Sequence, residues 1–311
     1  MKFQVFLLTA TCVCAQEQVR QSSTYTYDVH GRRVLSGSHS ASGPSRTETI
    51  QSINGRNVPL ESVQERVISE GPEGKLIERI VKKFDSSGNL SATEKVMVEE
   101  KKHSDGSTTT GITTYDSDLN GRFALRERST TVNRRDSDTV HAETKTERPT
   151  LNGSLELQER RVAVTTGTEK DSRTDVTIYR STGGLSLVEA ARETTEIKIE
   201  TGQTTTAVAQ YNTGSTGKME LAGQRVSRLT KEPDGSELEV VDVYGSVATG
   251  RAGGSSLTLP KLREQQIIER RPGPDQSMTE TFSVRRTELD SEKLTPVQKI
   301  SETICIGNCK N

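Results

Sequence analysis

Hydrophobic and polar positions recur along this chain with a long period. Leu119-Asn120-Gly121 and Leu151-Asn152-Gly153 are each followed by related text, "RFALRERSTTV" and "SLELQERRVAV". Steps of about 33 residues reach Gly55, Gly88, Gly121, Gly153, Gly183, Gly217 and Gly250. Leu90, Phe123, Leu155, Leu185 and Met219 stand two places after a glycine, and Leu125, Leu157, Leu187 and Leu221 four places after. Glu94, Glu127, Glu159 and Glu189 stand six places after. Apolar residues at every second position define a strand with one partly apolar face. An aromatic column precedes the glycines: Phe84, Tyr115, Tyr179, Tyr211, Tyr244 and, after a longer gap, Phe282. Turn-forming stretches such as "GPEG", "SDG" and "EPDG" fall about midway between glycines.

Each unit therefore reads as strand, turn, strand, turn. Asn-Gly and Asp-Gly suit tight hairpins, where glycine adopts a positive φ at low cost. Helical arrays share a period near 33, but the units lack helical spacing and are rich in Thr and Val, which favour strands. The expected fold is all-β: repeated antiparallel hairpins forming a long meandering or curled sheet of about 14–16 strands. The alternative is a propeller-like closed array, two units to a blade. A transmembrane barrel requires an apolar outer band with aromatic girdles. Six Tyr, five Phe and a terminal "CKN" argue against it.

Composition limits the core. Only 30% of the 311 residues are hydrophobic, and there is no Trp, so stability must lean on cross-strand pairs. The net charge of −1, from 42 basic and 43 acidic residues, offers no basic face for nucleic acid. Residues 1–15 carry a lysine, an apolar stretch and small residues before Ala15, the pattern of a signal peptide. Residues 16–46 then read as a polar N-terminal segment, 47–300 as the repeat domain and 301–311 as a tail. In an exported chain the tail cysteines, Cys305 and Cys309, are expected to form a disulfide.

Candidate chemistry is sparse. "TGSTGKM" (213–219) lacks the first glycine and the hydroxyl of a phosphate-binding loop. His30, His39, His103 and His141 have no metal spacing and read as solvated, with "GSHSASG" (37–43) as a flexible linker. The glutamate column could serve a glycosidase or hold calcium, calcium being the one cofactor considered. Basic neighbours (Lys95, Arg128, Arg160, Arg192) favour a structural ion-pair ladder instead.

"YTYDVHGRRV" (25–34) resembles the YD repeat of RHS-type bacterial surface proteins through Tyr27, Asp28, Gly31, Arg32 and Val34. "FDSSGNL" (84–90) keeps Asp85, Gly88 and Leu90, and "YDSDLNGRF" keeps Tyr115 and Asp116. The resemblance covers short turns only. It implies a secreted or surface hairpin array and carries no catalytic residue across. The expected function is a secreted or cell-surface, non-enzymatic structural, adhesive or interaction protein that does not span a membrane. A surface glycan or a protein would be its partner. The alternatives are a propeller-like glycan- or peptide-binding module and a secreted hydrolase.

Overall fold

The computed structural model describes residues 20–27, 32–42, 46–53, 56–118, 120–183, 186–214, 217–245, 261–274, 276–288 and 293–306. Eighteen strands run in chain order. The first six are β1 (Arg20–Tyr27), β2 (Arg33–Ser42), β3 (Arg46–Ile53), β4 (Arg56–Gly71), β5 (Gly74–Phe84) and β6 (Leu90–Lys102). The next six are β7 (Thr108–Ser117), β8 (Phe123–Asp136), β9 (Thr139–Pro149), β10 (Leu155–Gly167), β11 (Asp171–Ser181) and β12 (Leu187–Glu200). The last six are β13 (Gln203–Thr213), β14 (Met219–Lys231), β15 (Glu237–Gly245), β16 (Lys261–Pro272), β17 (Met278–Arg286) and β18 (Gln298–Ile306).

Every strand pairs antiparallel with the next, and β1 pairs with β18. The sheet is a closed barrel. Hairpins of about 33 residues form as the pattern predicts. The open meandering sheet and the propeller are both corrected by the β1–β18 pairing, which joins the chain's first and last strands into one ring with no blades. The polar segment before residue 47 contributes β1 and β2, and the tail completes β18. "GSHSASG", expected as linker, lies largely in β2, where alternating side chains pair with β1 and β3.

The glycine ladder marks one rim. Gly88, Gly121, Gly153, Gly183 and Gly217 have φ between 76° and 88°, while Gly55 and Gly250 lie outside the described residues. At Gly88, Gly121, Gly153 and Gly217 the glycine amide donates to the carbonyl three residues back, as Gly121 does to Asp118 at 3.0 Å. The residue at that carbonyl donates in turn to the carbonyl four places on. This is a type I turn closed by a left-handed glycine. The asparagine before the glycine does not itself need a positive φ: among described non-glycine residues only Ser137 and Gln276 have one. Open space surrounds a Cβ built at Gly121, so the requirement there is on the backbone.

A feature the pattern did not disclose sits beside most connections of this rim. The register shifts by one residue at Lys83/Phe84, Thr114/Tyr115, Ile178/Tyr179, Gln210/Tyr211, Val243/Tyr244 and Phe282/Ser283. Each shift is a β-bulge, which bends a strand and strengthens its twist. Repetition at one height around the sheet supplies the curvature that closes it.

Candidate functional site

Registers traced through the ladders sort side chains onto two walls. Ile77, Val81, Val241, Val284 and Cys305, the buried apolar residues among those described, share one wall with buried Thr114 and Thr131. Side chains converge on the concave wall of a closed sheet and splay on the convex one, so this wall faces the bore. At mid-height it mixes uncharged residues with charged ones: Val98, Ile112, Thr131 and Thr144 stand with Arg79 opposite Val96, Arg161 opposite Ile178, Glu193 opposite Val176 and Arg225 opposite Val208. Serine and threonine replace the apolar residues across β18–β3, where Thr24 and Thr303 share a 3.1 Å hydrogen bond and His39 Nδ1 lies 3.1 Å from Thr49 Oγ1. His39, expected as solvated, is a part-buried residue of this wall.

A circular barrel of eighteen strands about 4.8 Å apart and tilted about 40° has a backbone diameter of about 35 Å. Val and Thr side chains do not fill such a space, and close contacts are made almost wholly between neighbouring strands. The cavities that the walls do form are shallow. One, about 270 Å³, lies over Ile50, Pro59 and Phe84.

The glutamate column resolves into ion pairs. Glu94 binds Lys83 at 2.8 Å and Arg126 at 3.1 Å, Glu127 binds Arg148 at 2.9 Å, and Glu159 binds Arg180 at 3.0 Å. These three glutamates share the concave wall near the glycine rim. The extra residue Ala190 turns Glu189 to the convex wall, where it pairs with Arg192. The partners come mostly from adjacent strands, so the ladder forms, but with cations other than most of the sequence neighbours. With each candidate carboxylate tied to a cation, the column carries structure. Among the described residues no cluster of His, Cys, Asp or Glu could hold a metal. Cys305 is disulfide-bonded, while Cys309 and His30 lie outside the described residues.

The convex wall has a different character. All six tyrosines face it, with Phe84 and Phe123, and they gather toward the glycine rim. Cations stack on several rings: Lys95 lies 4.9 Å from the Tyr115 centroid and 5.2 Å from that of Phe123, and Arg160 lies 5.8 Å from that of Tyr179. Lower on this wall are ion pairs such as Arg228–Asp242 at 2.7 Å and Arg160–Glu143 at 2.9 Å.

These findings correct the expected function. An extended adhesive array needs a long open face, and the ring removes the edges that would extend it. The grounds for a chain that does not span a membrane, and so for a secreted or surface location with only a glycan or protein partner, fail as well. A closed barrel is one of the two architectures that can cross a bilayer. No described helix is long and apolar enough to cross a membrane, which says nothing of strands.

No family model matches the chain, and no curated protein matches it. A solved structure, that of the Salmonella typhi OmpF complex with daunomycin, is similar at a TM-score of 0.47 and 10% sequence identity, over 93% of this chain and 96% of that one. That likeness is too loose to assign a fold.

Proposed function

We propose that the chain is a pore-type barrel whose bore takes up small neutral solutes. The observation that carries this reading is the ring itself: eighteen antiparallel strands closed by β1–β18. Barrels of this strand number leave an aqueous channel. Hydroxyl groups on the wall suit solutes that exchange hydrogen bonds, and its charges are largely paired, as Arg79 with Glu65 and Arg270 with Glu280, which leaves little net field to select ions.

The setting proposed for it is an outer membrane. Barrels there have an even strand number, short turns at one end, longer connections at the other and aromatic girdles. Here one rim has short turns and receives the start of β1 and the end of β18. The other rim has the connections 246–260 and 287–297 and the aromatic residues. The convex ion pairs make this a demanding proposal, since a lipid-facing Arg or Lys at the bilayer midplane costs about 2–4 kcal/mol.

Reconstitution tests it. Protein folded by circular dichroism is mixed with phospholipid vesicles, and swelling is followed in neutral sugars of increasing size. Co-flotation with the vesicles and swelling that declines with sugar size are expected. Folded protein that separates from the vesicles and admits no sugar overturns the reading.

A further inference from the structure

Seventeen of the eighteen strand junctions join strands consecutive in the chain. The β1–β18 junction joins its two ends, and Tyr27 and Glu302 meet there across 275 residues. Its ladder spans Gln21–Thr26 against Ser301–Ile306, as short as β2–β3, whereas β5–β6 pairs over all of Gly74–Phe84. It is also poor in apolar contact, since Ser22, Ser23 and Thr24 supply much of the β1 side. Closing the longest loop in the molecule costs the most chain entropy, and here little hydrophobic burial offsets it.

Beside the neutral Thr24–Thr303 bond, one charged side chain spans this junction. Glu302 on β18 accepts a hydrogen bond from the Tyr27 hydroxyl of β1 at 2.9 Å. It also pairs with Arg33 of β2 at 2.9 Å and with Lys299 of its own strand at 2.6 Å. The same cations cover the neighbouring rings: Arg33 lies 3.7 Å from the Tyr25 centroid and Lys299 4.8 Å from that of Tyr27. The Glu302 side chain is only 16% exposed, so this carboxylate depends on all three donors.

We infer that Glu302 is the latch of the barrel, and that its release opens the wall laterally along the β1–β18 ladder while the other hairpins stay paired. Opening there would join the bore to the exterior through a slit between β1 and β18. The inference rests on the closed ring and is independent of what the bore takes up.

Amide hydrogen exchange on the full chain tests it. Glu302→Gln keeps the side chain's shape and removes its charge. Exchange at Gln21–Thr26 is expected to speed up about tenfold, with β5–β8 unchanged. A Thr26→Cys/Ser301→Cys disulfide across the paired positions should restore slow exchange in that background. Arg270→Gln breaks a comparable hub away from the junction, where Arg270 pairs with Glu280 at 2.7 Å, and should leave β1 protected. Should Glu302→Gln fail to fold, Tyr27→Phe removes a single donor and is expected to give a smaller change in the same amides. Unchanged β1 protection, or equal acceleration in all strands, overturns the latch.

Discussion

Two residue types carry the hairpin turns. Gly121 must adopt φ 76°, and a Cβ there costs roughly 1–2 kcal/mol from backbone strain alone. Gly121→Ala is therefore expected to lower the urea unfolding free energy by about 1 kcal/mol without altering the circular dichroism of the folded barrel. Aspartates at other turns act through their carboxylates. Asp85 accepts amide protons from Ser87 and Asn89, Asp105 from Ser107, and Asp234 from Ser236. Hydrogen bonding to the ionised form holds each carboxyl below its usual range, led by the Asn89 amide for Asp85 and by the Ser107 and Ser236 side chains for Asp105 and Asp234. A depressed folded pKa means that the folded turn binds fewer protons than the unfolded chain. Its stabilisation is complete above the ordinary carboxylate pKa and is lost as pH falls through the folded value. The urea midpoint should drop below about pH 4, and an Asp85→Asn/Asp105→Asn/Asp234→Asn variant should show a smaller acid-dependent drop than the parent.

Strands were legible from alternation, and the turns from glycine. The bulges were not, because an inserted residue leaves only a one-place slip that tolerant Thr, Val and charged positions absorb. The glutamate column shows the consequence. Glu94, Glu127 and Glu159 stay on one wall, whereas Glu189, at the same offset from its glycine, crosses to the other because Ala190 is extra. The aromatic column lies beside the bulges, a placement that emerges only from pairing, and Phe282 departs from it to the concave wall. A single deletion tests the bulge as an element. Ala222 is the extra residue opposite Gln210/Tyr211. Removing it sends Leu221 and Met219 to the concave wall and straightens β14. A stability loss of about 2 kcal/mol or more is expected, together with a changed near-ultraviolet signal from Tyr211. An unchanged melt and spectrum would show that the bulge carries no curvature.

At the scale of the molecule, the wall is stabilised by many weak cross-strand pairs and little core. Most ion pairs are exposed on at least one side, as with Arg148–Glu127 at 61% and 31%, and such pairs contribute about 0.2–1 kcal/mol each. The barrel should therefore lose little stability between low and high salt. A thermal midpoint that falls steeply with added sodium chloride would instead show that the ladders dominate. The hollow form makes its own expectation: small-angle scattering should give a radius of gyration well above the roughly 19–20 Å of a compact chain of 311 residues.

The sequence by itself determined the local structure: period-two alternation placed the strands, glycine placed one set of turns, and charge beside charge implied pairing. Each of these depends on a few neighbouring residues. Closure, the sorting of side chains into bore and outer wall, and the meeting of Tyr27, Arg33 and Glu302 were decided only by the tertiary structure. They depend on twist and bend summed over eighteen strands, and a sum over the whole ring has no signature in any one unit. The expected open array failed on that point, since hairpins of the same pattern build a ribbon or a ring according to a curvature that alternation does not encode.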